Sequence, residues 1–376
     1  MSSIGVDISS DKISIVEMSR SRKGFVINNA AIIKLKPKVI TKGEIQDTAA
    51  LSKEISNTWS RNKFRSRKAI TGIATQRAIA KEIDIPTVND KELEKAIKYQ
   101  ISDYLPISAD NVIYDYYIMN RSKDSSKVML TGAIRSVVDK VVESFKKAKV
   151  VVDAIDLNCF SLFRLINFTR NFGAGSRDKK NDNICIFNFG WEVSILGIIK
   201  DNDLRKPRFS TIGKKTLIDN LCKKLQKSEQ ECIKILDGFD FSSIDEKEGR
   251  MQIDNTVESS LSNSQSLEDN DGADAISESI IKTAGQLIND LKLTIDNFLQ
   301  DDRKSTIGSI VVTGERIKGL EQYITKKLRY NVERLNIAEY FSIDQIKKKP
   351  DFKDKKSIDI ADDLAISVGL ALRGLI

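Results

Sequence analysis

Gly5-Val6-Asp7-Ile8-Ser9-Ser10-Asp11-Lys12-Ile13-Ser14-Ile15-Val16-Glu17 is the stretch whose reading decides the fold. Two runs rich in β-branched residues flank a short polar break, which predicts a β-hairpin with its turn at residues 9–11. A third strand is expected over 25–33, a helix over 48–61 and a buried strand over 68–74. The same grammar returns 181 residues later, where Asn188-Phe189-Gly190 aligns with Asp7-Ile8-Ser9. Strands over 184–190 and 193–199, a third strand over 208–212 and a helix over 214–225 follow in the same order. A duplication at this spacing predicts two related lobes in an α/β chain.

Between the halves, Leu93, Ile97, Ile101 and Tyr104 recur at helical spacing, which predicts a helix over 90–104. Leu105-Pro106 ends it, because a residue before proline resists the helical region. Strands over 112–119 and 128–134, a helix over 137–148 and a strand over 150–155 come next. Asn158 then caps an apolar helix running through Leu165. Residues 239–275 are rich in serine, asparagine and acids and poor in large apolar residues, so they are read as a disordered acidic insertion. A long helix is expected from 276 to about 298.

Composition excludes whole classes of chemistry. The 376 residues contain no histidine, which removes Ser-His-Asp and Cys-His catalysis and histidine-based zinc sites. The four cysteines form no CxxC pair and sit in apolar stretches, as buried free thiols do. Metal binding is not expected. No apolar run approaches the roughly 18 residues a membrane helix needs, and the N-terminal residues lack the pattern of a secretory signal. The net charge of +8 is uneven. Residues 240–278 carry eleven acidic and two basic side chains, so the rest of the chain is strongly basic. Basic clusters at 61–68 and 347–349 could face an anionic membrane or nucleic acid, but short charge runs are usually solvated surface, and no aromatics interleave as stacking platforms.

Three stretches in order resemble the PilM family of type IV pilus assembly proteins, relatives of the cell-division protein FtsA. They are the opening hairpin of residues 5–17; Ala96-Ile97-Lys98-Tyr99-Gln100-Ile101-Ser102-Asp103-Tyr104-Leu105-Pro106-Ile107; and Leu364-Ala365-Ile366-Ser367-Val368-Gly369-Leu370-Ala371-Leu372-Arg373-Gly374 near the C-terminus. Asp153-Ala154-Ile155-Asp156 also fits. The resemblance implies an actin-like ATPase fold of two duplicated lobes, with a small FtsA-like subdomain inserted in the first. On that basis residues 1–77 and 127–168 form the first lobe, 78–126 the inserted subdomain and 169–376 the second lobe. It also implies a scaffold in the cytoplasm, peripheral to the inner membrane and part of the pilus assembly platform. Such a scaffold would grip the cytoplasmic tail of a PilN-like single-span membrane protein. Tyr99, Ile101, Tyr104, Leu105 and Pro106 are the candidate partner contacts. No nucleic acid and no direct membrane insertion are expected; homo-oligomer formation is left open.

Actin-like folds hold a magnesium nucleotide between two hairpin turns, each favouring a DxG pattern. Here the first turn reads Asp7-Ile8-Ser9 and the second Asn188-Phe189-Gly190. Ser14 stands where the family has a lysine, with Lys12 two residues earlier. The adenine loop, Val312-Thr313-Gly314-Glu315-Arg316, keeps one glycine and gains an acid. Asp7, Ser9, Ser10, Lys12, Asn188, Gly190, Ser194, Gly314 and Arg316 are therefore the candidate cofactor residues of a degenerate site for ATP and magnesium. An active actin-like ATPase or small-molecule kinase is the alternative, with Asp156 as the candidate base. An FtsA-like division protein is a third reading, disfavoured because no amphipathic tail follows the last helix.

Overall fold

The computed structural model describes residues 2–22, 24–86, 90–104, 109–172, 182–244, 270–349, 352–353 and 355–376. The chain opens with β1 (Ser2–Ile8), β2 (Lys12–Ser21) and β3 (Gly24–Lys34), paired antiparallel in sequence. A two-strand ribbon, β4 (Ile40–Thr41) and β5 (Glu44–Ile45), leads to α1 (Thr48–Asn62) and β6 (Lys68–Ile73). Asp47 starts α1 by accepting from the amides of Ala49 and Ala50, and Lys63 closes it in the left-handed conformation.

An excursion follows: β7 (Ala78–Pro86), α2 (Asp90–Tyr104), β8 (Val112–Arg121) and β9 (Ser125–Ile134). Its strands make a separate sheet in the order β7-β9-β8. Leu93, Ile97 and Ile101, one turn of helix apart, seal α2 onto Ile83, Ile85, Val112, Val128 and Leu130. β9 pairs with β7 and β8 along its whole length, so the small sheet continues past residue 127, where the sequence reading returned to the first lobe. The chain then resumes with α3 (Arg135–Lys147), β10 (Val151–Leu157) and α4 (Asn158–Phe172).

The second half repeats the plan with β11 (Asn183–Phe189), β12 (Ser194–Lys200) and β13 (Asp203–Ser210). There follow α5 (Lys214–Leu225), α6 (Glu229–Gly238), α7 (Asn270–Asp301), β14 (Ile307–Gly314), α8 (Leu320–Leu328) and β15 (Asn331–Arg334). Two helices close the chain, the short α9 (Asp344–Lys347) and the longer α10 (Ser357–Arg373). The sheets run β10-β6-β1-β2-β3 and β15-β14-β11-β12-β13, one topology used twice. In each, the first strand pairs antiparallel with the second and parallel with the fourth. Among the described residues no helix is long and apolar enough to cross a membrane.

Packing corrects three expectations. The C-terminal helix, grouped by chain order with the second lobe, has its buried face in the first lobe's core: Ile360, Leu364, Val368 and Leu372 join Val6 and Ile15 there. The approach is close because Gly5 lacks a side chain; a Cβ there would stand 2.0 Å from the Ser367 carbonyl. The acidic segment is not unstructured at its edges. Phe239 and Phe241 are buried in the second lobe's core, where two aromatic rings outweigh the polar context around them. At the other edge α7 begins at Asn270, six residues before the expected start. Residues 245–269, the centre of that reading, lie outside the described residues.

Candidate functional site

The two hairpin turns face each other across a cleft between the lobes. Its walls include Asp7, Ser9, Ser10 and Lys12 from the first turn, Asn188, Gly190 and Glu192 from the second, and Gly314 and Glu315 at the end of β14. The second turn of α10 adds Asp362 and Asp363. Strand pairing sets these positions. Asp7 lies opposite Ser14 in the β1–β2 ladder, and Asn188 opposite Thr313 in the β11–β14 ladder. Of the expected cofactor residues, Ser194 sits behind the wall: its hydroxyl donates to the Ile212 carbonyl (2.7 Å) and accepts from the Gly190 amide (3.3 Å). Arg316 is turned to Asp362 and, at 3.4 Å, to Asp359, so it does not line the cleft.

Carboxylates dominate the cleft, and cations already answer several of them. Lys12 Nζ lies 3.0 Å from Glu315 Oε1 and 2.8 Å from Asp363 Oδ1. Burial opposes the Lys12 charge, but Glu315, Asp11 and Asp363 prevail and hold the ammonium above its usual range. Asp363 is shifted down despite burial, by Lys12 and Lys355. Arg334 closes the floor, reaching Asp362 at 2.8 Å and the Gly314 carbonyl at 3.0 Å. Glu192 bridges the lobes by accepting from Ser10 Oγ at 2.5 Å and from the Lys42 amide.

Some of the polar donors around the cleft are engaged within the protein. The Ser9 amide donates to the Lys12 carbonyl at 2.9 Å, and its hydroxyl to Asp11 at 2.8 Å. The Glu315 amide donates to the Phe189 carbonyl at 2.6 Å. Asn188 Nδ2 donates to Thr313 Oγ1 at 2.9 Å. Asp7 is different. Burial pushes its carboxyl up to about 6, against the opposing pull of the Asn158 amide at 3.0 Å and of Lys12. Ser14, on the face of β2 that carries Lys12, leaves its buried hydroxyl without a partner among the described residues. A lysine at position 14 would stand opposite Asp7; Lys12 lies two residues, roughly 7 Å, nearer the turn.

Asp156, the candidate base, does not line this cleft. It is buried and neutralised by Arg164 at 2.9 Å and Arg373 at 3.3 Å, the role of a structural anion between α4 and α10. Glu192, Asp362 and Asp363 were not anticipated. The signal was available: an acid two residues after the second turn's glycine, and an Asp-Asp pair just before the apolar run Leu364–Leu372.

The candidate partner residues divide. Tyr99 is 86% exposed on the outer side of α2, whereas Ile101 is fully buried in the subdomain core. Ile101 is therefore corrected from a contact to an internal support, because the helical period that places 93 and 97 inward places 101 inward too. Tyr104 ends α2, and Leu105 and Pro106 lie outside the described residues. Among the described residues no cluster of acids and thiols could hold a metal ion.

Residues 5–241 match the family described as type IV pilus assembly protein PilM. Over the whole chain the fold is similar to a chain of a PilM-PilN type IV pilus biogenesis complex, with 18% identity, a TM-score of 0.78 and coverage of 100% of this chain and 98% of that one. It is also similar to the ethanolamine utilization protein EutJ from Carboxydothermus hydrogenoformans, with 10% identity, a TM-score of 0.51 and coverage of 99% and 89%. The architecture is the actin-like ATPase fold, two duplicated lobes with a small subdomain inserted in the first.

Proposed function

This chain belongs to the family of type IV pilus assembly protein PilM, and we propose that it is a cytoplasmic scaffold that holds the tail of a PilN-like membrane protein without using a nucleotide. The similar chain of known structure comes from a PilM-PilN complex, and that supports a PilN-like partner here. The observation that carries the surface assignment is Tyr99. The inward face of α2 is fully committed to the subdomain core, yet an aromatic side chain stands on its outer side at 86% exposure. An exposed ring with a polar tip suits gripping a short extended peptide.

The same reading treats the cleft as a degenerate nucleotide site joined by side chains. ATP with magnesium needs free backbone amides and an organised cation. Lys12, Ser10, Glu192 and Glu315 instead link the lobes directly. Titrating a synthetic PilN-like tail into the protein by calorimetry tests the scaffold reading. Saturable binding is expected, with Tyr99→Ala weakening it by about tenfold or more at unchanged thermal stability. No heat from the parent protein would overturn the partner assignment. Unchanged affinity in the variant would remove Tyr99 from the contact.

A further inference from the structure

Two basic clusters far apart in sequence, at 61–68 and 347–349, meet on one face of the first lobe. Lys349 Nζ is the joint: it donates to Asn62 Oδ1 at 3.1 Å, to the Ala30 carbonyl at 3.1 Å and to Asn29. A third basic segment joins them from the end of α3. Arg67 donates to the Lys149 carbonyl at 3.4 Å, and the Val151 amide donates to the Arg67 carbonyl at 2.7 Å. The ends of α1, α3 and α9 therefore lie side by side. Lys63, Arg65, Lys68, Lys149, Lys347 and Lys348 are all exposed there. None of these six forms an ion pair with a described residue. The acids at this face are outnumbered: Glu143 pairs with Lys147 at 2.6 Å, Asp153 and Asp344 stand exposed on β10 and α9, and the buried Glu17 accepts from the Arg65 amide at 3.4 Å.

We propose that this face is a docking surface for an anionic lipid bilayer. Unpaired cations gathered from three segments produce a field that none of them produces alone, and each basic residue near an anionic leaflet adds about fivefold to the binding constant. Two further observations select a membrane over nucleic acid. The aromatic of the cluster, Phe64, is buried against Trp59, with ring centroids 5.2 Å apart, and offers no stacking surface. The exposed apolar side chains beside Lys146 and Lys149 are aliphatic, Val142 and Val151, as suits shallow contact with the headgroup boundary. This surface is separate from Tyr99, so the inference stands independently of the partner peptide.

Co-sedimentation of the full chain with lipid vesicles tests it. Vesicles containing about one third phosphatidylglycerol should bind the protein at low salt. Pure phosphatidylcholine vesicles should not, and high salt should release it. Combining Lys63→Glu, Arg65→Glu and Lys348→Glu should weaken binding by about a hundredfold or more, since three fivefold contributions are lost. The neutral set Lys63→Gln, Arg65→Gln and Lys348→Gln should fall between. Both sets should keep the parent's thermal stability and its affinity for a PilN-like tail. Equal partition onto both vesicle types, or no change in the reversed variant, would overturn the proposal. So would binding of duplex DNA that depends on these residues in a protein that ignores vesicles.

Discussion

Lys12 Nζ, on the hairpin of the first lobe, lies 3.0 Å from Glu315 Oε1, just beyond the last residue of β14 in the second. The pair spans the cleft that an actin-like fold keeps for its nucleotide. Asp363 at 2.8 Å completes a triangle, and Lys12 is 18% exposed. Removing the cation strands carboxylates that it now balances. Lys12→Met should therefore lower the unfolding free energy by about 3 kcal/mol in a urea titration. A loss below about 1 kcal/mol would mean that water already screens the triangle.

Asp7 gives stability a pH dependence of known sign. Its carboxyl titrates at 3.8 in a solvated reference state and at about 6 in the fold. The folded protein thus holds a proton that the unfolded chain releases. The contribution is fully present below the unfolded value and is lost as pH rises through about 6. Asp7→Asn removes that loss, so near neutral and alkaline pH it should gain up to about 3 kcal/mol over the parent, and close to nothing below about pH 4. Melting curves of both proteins across that range check it; a pH-independent difference would refute the titration.

Glu82 on β7 and Arg205 on β13 tie the small subdomain to the second lobe. Their side chains meet at 2.5 Å, and the Lys206 amide donates to the same carboxylate at 3.1 Å. Arg205→Ala leaves a nearly buried carboxylate without its charge partner. The expected result is a destabilisation of about 2–4 kcal/mol, with faster amide exchange in β7 than in β1. Uniform exchange across both strands would show that the joint does not hold the subdomain.

Much of this was legible in the sequence. The hairpin at 5–17 and its echo at 184–199 gave both sheets, because period-two runs around a polar turn have few other solutions. The α2 stripe was legible from its four-residue helical spacing. Three things were not. The destination of α10 depends on Gly5 admitting a helix backbone, a contact between residues more than 360 positions apart. Phe239 and Phe241 were hidden by polar neighbours, since composition averages over a window while burial acts on single side chains. In the cleft, the altered turn residues were visible one by one. That Glu192 and Asp363 would take up Ser10 and Lys12 required the fold.

Nucleotide binding should be weak for a reason that can be reversed. In the parent protein calorimetry with Mg-ATP should give no saturable heat, and hydrolysis should not exceed background. Ser9→Gly combined with Asn188→Asp would give both turns the DxG pattern, with closer backbone approach and an acid suited to organising magnesium waters. Any gain in affinity should appear there first, while a tight parent would show that Lys12 exchanges its carboxylates for phosphate.

The most direct measurement is the affinity of a synthetic PilN-like tail for the full chain, determined by calorimetry with and without Mg-ATP. A scaffold whose lobes are joined by Lys12–Glu315 and Ser10–Glu192 predicts saturable binding with the same constant in both conditions. Binding that appears only with Mg-ATP, or shifts by tenfold or more with it, would contradict a nucleotide-independent scaffold.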